Sequence, residues 1–203
     1  MARTSIASTL ALAAAAAVLA GCASTATPAG TATATAAPAP AKSTASRATV
    51  NLSPASASLV SGTLTLVPMG DGVHITGEVG GLKPGDTRGF HIHEKGDCSA
   101  ADASSAGGHF NPGAQAHGRS GHGAHHAGDT DNIVADAKGV ARIDAHVSGV
   151  TLGGGAANDI AGRAVIVHAA ADDYTTQPTG NAGARVACGV IKVAVTSWQT
   201  SET

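Results

Sequence analysis

The sequence predicts an all-β fold, an antiparallel sandwich or barrel, on three observations. Short segments alternate apolar and polar residues with a period of two, clusters of Gly, Pro and Asp separate them, and no useful length of chain carries the period of an amphipathic helix. Thr63-Leu64-Thr65-Leu66 is a clear alternating run, and a turn at Pro68-Met69-Gly70-Asp71-Gly72 follows it. Val73, Ile75 and Val79 then share one face with Gly77, up to a second turn over Gly80-Gly81-Leu82-Lys83-Pro84-Gly85-Asp86. After a turn at Asp136-Ala137-Lys138-Gly139, Ala141, Ile143, Ala145 and Val147 oppose Arg142, Asp144 and His146. Beyond Gly153-Gly154-Gly155, Val165 and Val167 alternate with Ile166 and His168, and Ile191, Val193 and Val195 form the last such face. Two long loops remain, Lys95 to about Asn132 and Ala169 to about Ala187. Loops of that length in a small domain are uncommon unless they are functional or held locally.

The 203 residues leave room for one domain of ordinary size. Residues 1–21 read as a targeting signal: Arg3 gives a basic start, and Leu10 to Ala20 is apolar and uncharged but short for a spanning helix. Its end, Leu19-Ala20-Gly21-Cys22, resembles the bacterial lipoprotein processing box. That resemblance implies a lipidated Cys22 and an exported protein tethered to a membrane through its acyl chains, on the periplasmic side of the outer membrane where the cell has two. A buried Leu/Ala helix is the alternative, but nothing in the sequence that follows could pack over it. Residues 22–46, nearly all Ala, Thr, Ser, Pro and Gly, read as a flexible linker with too little large apolar surface to offset ordering. The domain then occupies residues 47–203. A formal charge of −2, without any Lys/Arg run, gives no sign of a nucleic-acid partner. With Cys22 assigned to lipid, Cys98 and Cys188 are an even pair, the pattern of one disulfide in an exported protein; two free buried thiols are the alternative.

The chain is organised around Gly89-Phe90-His91-Ile92-His93-Glu94. His91 and His93 are two apart in a run that reads as strand, so both imidazoles leave one face and can hold one metal ion between them. The bland alternative is two polar residues on the wet side of a half-buried strand. Four further histidines argue for the metal: His109 in Gly107-Gly108-His109-Phe110-Asn111-Pro112, His117, His126 just ahead of Asp129, and His168 at a strand end. Imidazole suits copper and zinc, and one carboxylate among several histidines suits zinc. Six histidines and one Asp exceed one tetrahedral ion, but fit two adjacent ions if one ring uses both nitrogens.

Taken in order with Gly162-Arg163 through His168 and Gly180-Asn181-Ala182-Gly183-Ala184-Arg185-Val186-Ala187-Cys188-Gly189, these stretches resemble the copper/zinc superoxide dismutases of the bacterial exported type. The resemblance runs from about Ala48 to Val195. It implies a Greek-key antiparallel β-barrel of about eight strands, a fold whose sandwich architecture is well known for this enzyme. It implies copper on His91, His93, His109 and His168, and zinc on His109, His117, His126 and Asp129, with His109 as the bridge. Asp172 matches the outer carboxylate that accepts hydrogen bonds from one histidine of each site. Arg185 matches the residue that guides the anion, and Thr179 the other side of the channel. The implied reaction converts superoxide to dioxygen and hydrogen peroxide, with copper cycling, zinc redox-silent and His109 carrying a proton. A non-catalytic copper- and zinc-binding or metal-delivery module is the competing function, and an anchored structural barrel a third. Relatives include monomers and homodimers.

Some residues depart from the family pattern. Arg88 stands where a histidine is common, Thr130-Asp131 replaces an apolar anchor after Asp129, and Ala169 and Ala170 replace charged residues of the guiding loop. His122 and His125 are open between plain loop residues, an extra metal site and rivals of His126. His74 and His146 read as strand-surface residues. Tyr174 and Trp198 read as packing or interface residues.

Overall fold

The computed structural model describes residues 41–194. The targeting segment, Cys22, Val195 and Trp198 lie outside the described residues. Alternation sends every second side chain of a strand to the same face, and that is how the core is made here. The strands are β1 (Ala48–Pro54), β2 (Ser61–Met69), β3 (Gly72–Gly80), β4 (Thr87–Arg88), β5 (Phe90–His93), β6 (Ile133–Val134), β7 (Ala141–Ser148), β8 (Ala164–His168), β9 (Arg185–Val190) and β10 (Lys192–Val193). One 3-10 turn, Ser104–Ala106, is the only helical element among the described residues.

Eight strands form one antiparallel sheet in the order β5-β8-β9-β1-β2-β3-β7, with β10 beside β1. The pairings β3–β7, β5–β8 and β9–β1 join strands distant in sequence, as the expected barrel of about eight strands requires. The β2–β3 hairpin closes through Gly70-Asp71, where Gly70 takes φ 60. A separate ribbon pairs β4 with β6. Because β4 runs into β5 and β6 lies beside β7, this ribbon spans the two ends of the sheet and curls it. Val50, Leu64, Leu66, Val73, Ile75, Phe90, Ile92, Val165 and Val167 fill the interior, each fully buried.

Several details differ from the alternating pattern. All five residues of β8 are buried rather than one face of it, because loops cover the outer face. Val193, expected on the last inward face, is exposed on a two-residue strand, and Ile191 alone is buried there. The second loop ends before Arg185, which is strand and not loop; Cys188 consequently sits within β9 rather than at a strand start. At the other end, Thr44 and Ala45 donate their backbone N–H groups to Leu152, and Ser43 Oγ accepts the N–H of Leu152. The last residues of the expected linker therefore lie along the domain.

The first loop is fastened to the outer face of the sheet by a small apolar cluster. Ala103, just ahead of the 3-10 turn, and Ala106 within it meet Ala164, Ile166 and Cys188, with Cys98 packed alongside. A disulfide joins Cys98 to Cys188 at a sequence separation of 90 and a Cα–Cα distance of 5.8 Å. Closing so long a loop confines the unfolded chain, which stabilises the fold by about 4–5 kcal/mol in the chain-entropy account. Cys98→Ala should therefore lower unfolding free energy by about 2–5 kcal/mol, read from urea melts of the metal-free protein against the oxidised parent.

Candidate metal centre

Strand β5 has two dry faces. Phe90 and Ile92 enter the core, while His91 and His93 leave the other face and are nevertheless fully buried. The wet-side alternative for this pair is therefore ruled out. What covers them is the first loop, which runs along the free edge of β5 as an extra strand would. Phe110 donates its N–H to Ile92 O, Ile92 donates to Gly128 O, Gly128 donates to Phe110 O and Glu94 donates to Gly108 O. These bonds satisfy the edge of the sheet and set His109 against His93 and Asp129 against His91.

The third strand contribution is His168. Its register with β9 shifts after Val167, so His168 pairs with Arg185 while Val186 is passed over. Such an irregularity re-aims side chains, and here it turns His168 toward the β5 histidines. The result is two buried groups whose candidate ligand atoms lie within 4.8 Å of one another: His91, His93, His109 and His168, and His109, His117, His126 and Asp129. His109 belongs to both. These are the seven residues the sequence singled out.

Hydrogen bonds outside the two groups decide which nitrogen each ring presents. His93 Nδ1 donates to Gly107 O at 2.9 Å and His168 Nδ1 donates to Gly183 O at 3.2 Å. Their Nε2 atoms are then both acceptors, yet they face each other at 3.4 Å. Two lone pairs so placed repel unless a cation lies between them. Asp172 does the same for two other rings: its Oδ2 accepts from His91 Nε2 at 2.8 Å and its Oδ1 from His117 Nε2 at 3.0 Å. Both are left with Nδ1 turned inward, buried and without a hydrogen-bond partner. His117 Nδ1 lies 3.0 Å from Asp129 Oδ2, but off the line that a hydrogen bond needs. His109 engages Asp129 Oδ1 through Nδ1 at 2.8 Å, which leaves its buried Nε2 free for the other group.

The spacing fits metal ions. A tetrahedral ion with bonds of about 2.05 Å holds its ligands about 3.3 Å apart. His126 Nδ1 stands 3.3 Å from His109 Nδ1 and 3.3 Å from Asp129 Oδ1, and the His93–His168 nitrogen separation is similar. Burial keeps four of the rings neutral, as ligation requires: it pushes His93 down to about 2 and His168 down to about 3, and lowers His91 and His126 as well. Burial alone would raise Asp129, but hydrogen bonds from His109 and from the backbone N–H groups of His126 and Gly118 more than reverse this and keep it ionised.

Arg185 stands at the edge of the β5–β8 group. Its guanidinium donates to Ala103 O at 2.7 Å and to Gly107 O at 2.6 Å, and the second of these carbonyls also holds His93. The strand position and the two carbonyls hold the cation beside the histidines. Thr179 is half-buried next to Gly180 in the second loop. Cys98 and Cys188 pin the segment that carries Ala103 and Gly107.

The departures noted in the sequence resolve physically. The apolar anchor missing at Thr130-Asp131 is replaced by polar ones: buried Thr130 donates its hydroxyl to Phe90 O, and Asp131 takes Arg119 through two oxygens at 2.8 and 3.2 Å. Arg88 turns to Asp86 at 2.5 Å. His122 and His125 join neither ligand group, and His125 Nδ1 is spent on His126 O. His74 and His146 pair with Asp144 and Asp71 on the sheet surface. The sequence missed Gln177, whose amide grips the backbone of His117 at both ends, and Asn132. It also missed Gly180, whose φ of 65 and missing side chain admit Asp172: a Cβ there would lie 1.7 Å from Asp172 Oδ1. A backbone carbonyl such as Gly107 leaves no trace in sequence at all.

Known proteins share the sequence and fold of this chain. The copper/zinc superoxide dismutase family model matches residues 60–191. The chain is 42% identical over 136 residues to "Superoxide dismutase [Cu-Zn] 2" of Aquifex aeolicus, covering 66% of this chain and 80% of that one. Among solved structures, the clock protein EA4 superposes with a TM-score of 0.67 at 42% identity, covering 76% of this chain and 98% of that chain. A superoxide dismutase-like protein of Bacillus subtilis superposes with a TM-score of 0.64 at 38% identity, covering 70% and 96%.

Two outcomes follow from the site as built. The unfolded chain takes up protons at histidine from about pH 6.5 downward, whereas folded His93 and His168 resist protonation to about 2 and 3. Stability from these rings is complete above pH 6.5 and is lost as pH falls toward those values, so urea midpoints of the metal-free protein should drop steadily below pH 6.5. Gly180→Ala, which must displace Asp172, should weaken zinc binding about tenfold or more in a chelator competition.

Proposed function

The chain belongs to the copper/zinc superoxide dismutase family, and on that footing we propose that it disproportionates superoxide to dioxygen and hydrogen peroxide. Copper and zinc are its metals. In this reading His91, His93, His109 and His168 hold copper, and His109, His117, His126 and Asp129 hold zinc. The observation that carries the reading is the pair of ligand groups sharing one ring, with one nitrogen each of His91, His93, His117 and His168 hydrogen-bonded outward and the other turned inward.

Copper held by His91, His93, His109 and His168 would supply one-electron chemistry for both half-reactions of superoxide, whereas zinc would supply none, having no redox chemistry of its own. The remaining work belongs to the protein. His109 can hold a proton at Nε2 whenever that nitrogen is not engaged, because its Nδ1 stays on the Asp129 side. The proton is thereby kept at a fixed place for delivery to the developing peroxide. Arg185 attracts the small anion with a permanent charge and offers donors in a rigid fork, and its two carbonyl contacts fix where that charge stands. In this reading Thr179, by its match to the family pattern, is the other side of the anion's channel. Asp172 fixes the tautomer of His91 and His117 and strengthens both as ligands.

The same reading makes the protein an exported lipoprotein, anchored by acyl chains at Cys22. The Leu19-Ala20-Gly21-Cys22 box supports this, and so does the disulfide, since such bonds persist outside the cytosol. Superoxide removal should disappear on copper depletion and return on copper addition, and His168→Ala should abolish it while sparing most zinc by metal analysis. Two bound metals without turnover would favour a metal-binding module. Equal loss of both metals in His168→Ala would overturn the division of ligands.

A further inference from the structure

Tyr174 is the aromatic residue that the sequence left between packing and interface, and its contacts give it a different part. It lies two residues past Asp172, half-buried, with φ 61, a left-handed conformation that non-glycine residues adopt rarely. That conformation lets both ends of the residue act on the same neighbourhood. Its backbone N–H donates to Asp172 Oδ1 at 2.7 Å, and its phenol oxygen accepts the backbone N–H of Asn132 at 2.8 Å. Asn132 in turn grips the backbone of Asp172: its Oδ1 accepts the N–H of Asp172 at 2.8 Å, and its Nδ2 donates to Asp172 O at 2.9 Å. Four hydrogen bonds thus close a ring through Tyr174, Asp172 and Asn132, joining the end of the first loop to the second. Asp172 is the carboxylate that orients His91 and His117.

We propose that Tyr174 is a positioning residue: its phenol oxygen and backbone N–H lock Asp172 to Asn132, and so set the ring angles of one histidine in each ligand group. The lock stands on the geometry above; its consequence for bound metals rests on the function proposed for the site. The phenol is what distinguishes a lock from ordinary packing. Arg119 lies over the ring, 5.3 Å from its centre, and is held by Asp131. Arg119 and Asp131 are half-exposed, so this outer pair covers the ring without fixing the carboxylate.

Tyr174→Phe keeps the ring and the cover and removes only the acceptor for Asn132, so it separates the two roles. In protein loaded with copper and zinc, Tyr174→Phe should release zinc to an excess of chelator about tenfold faster, and shift the Cu(II) electron paramagnetic resonance spectrum through His91. Arg119→Gln should change neither. A Tyr174→Phe protein with the parental release rate and spectrum would overturn the proposal, and a lowered melting temperature with an unchanged spectrum would reduce Tyr174 to packing and overturn it equally. If the parent takes up neither metal, the function proposed for the site fails, yet the lock is still judged by amide exchange in the metal-free chain. Lost protection at Asn132, Asp172 and Tyr174 in Tyr174→Phe upholds it, and unchanged protection sinks it.

Discussion

One carboxylate constrains this site more than any ligand does. Asp172 is buried, and a buried charge is costly unless its oxygens are fully used. Burial alone would raise its pKa, yet hydrogen bonds from His91, the Tyr174 N–H and His117 leave it lowered, and the group stays ionised. By accepting at both oxygens it makes His91 and His117 present the same nitrogen, Nδ1, to two different groups. Without that acceptor each ring could rotate or exchange tautomers, and the inward lone pairs would no longer be specified. The two ligand groups are thus coupled twice, through the shared ring of His109 and through a carboxylate that belongs to neither.

The barrel contributes rigidity where this arrangement needs it. His91, His93 and His168 stand on neighbouring strands whose opposite faces are locked in the core, so their backbone positions are fixed by packing that has no polar component. The loop residues have no such support and obtain it from β5 itself. His109 and Asp129 are placed by ladder-like bonds to a strand edge that would otherwise be unsatisfied. The same contacts that finish the sheet therefore finish the ligand sets.

Much of this was legible in the sequence, for a physical reason. Alternation is a direct image of a strand's two faces, so the segments around Leu64, Ile75 and Ile143 could be read without a structure. Side chains with distinctive chemistry, six histidines and Asp129, announced the ligand groups, and the order of their motifs announced the family. What could not be read was backbone work and coverage. The carbonyls of Gly107 and Gly183 select tautomers but belong to any residue type, and the burial of β8 on both faces depends on loops folding over it. Arg185 was placed in a loop because its neighbours Gly183 and Ala184 interrupt the strand pattern, whereas pairing with His168 makes it strand. Tyr174 and Asn132 carried no signal beyond proximity to recognised residues.

The way the first loop is fastened also divides it into parts with different freedom to change. Phe110 and Gly128 are bound to β5, His117 is gripped by Gln177, and Asp131 holds Arg119. Between Arg119 and His125 the chain runs through Ser120, Gly121, His122, Gly123 and Ala124, mostly exposed and bonded chiefly to itself. Loop closure entropy grows only slowly with length, and an exposed tip between fixed ends absorbs extra residues without moving them. This five-residue tip is accordingly the place to graft a peptide or tag, while a single added residue between Gly107 and Phe110 would slip the ladder by one and turn His109 away from both ligand groups.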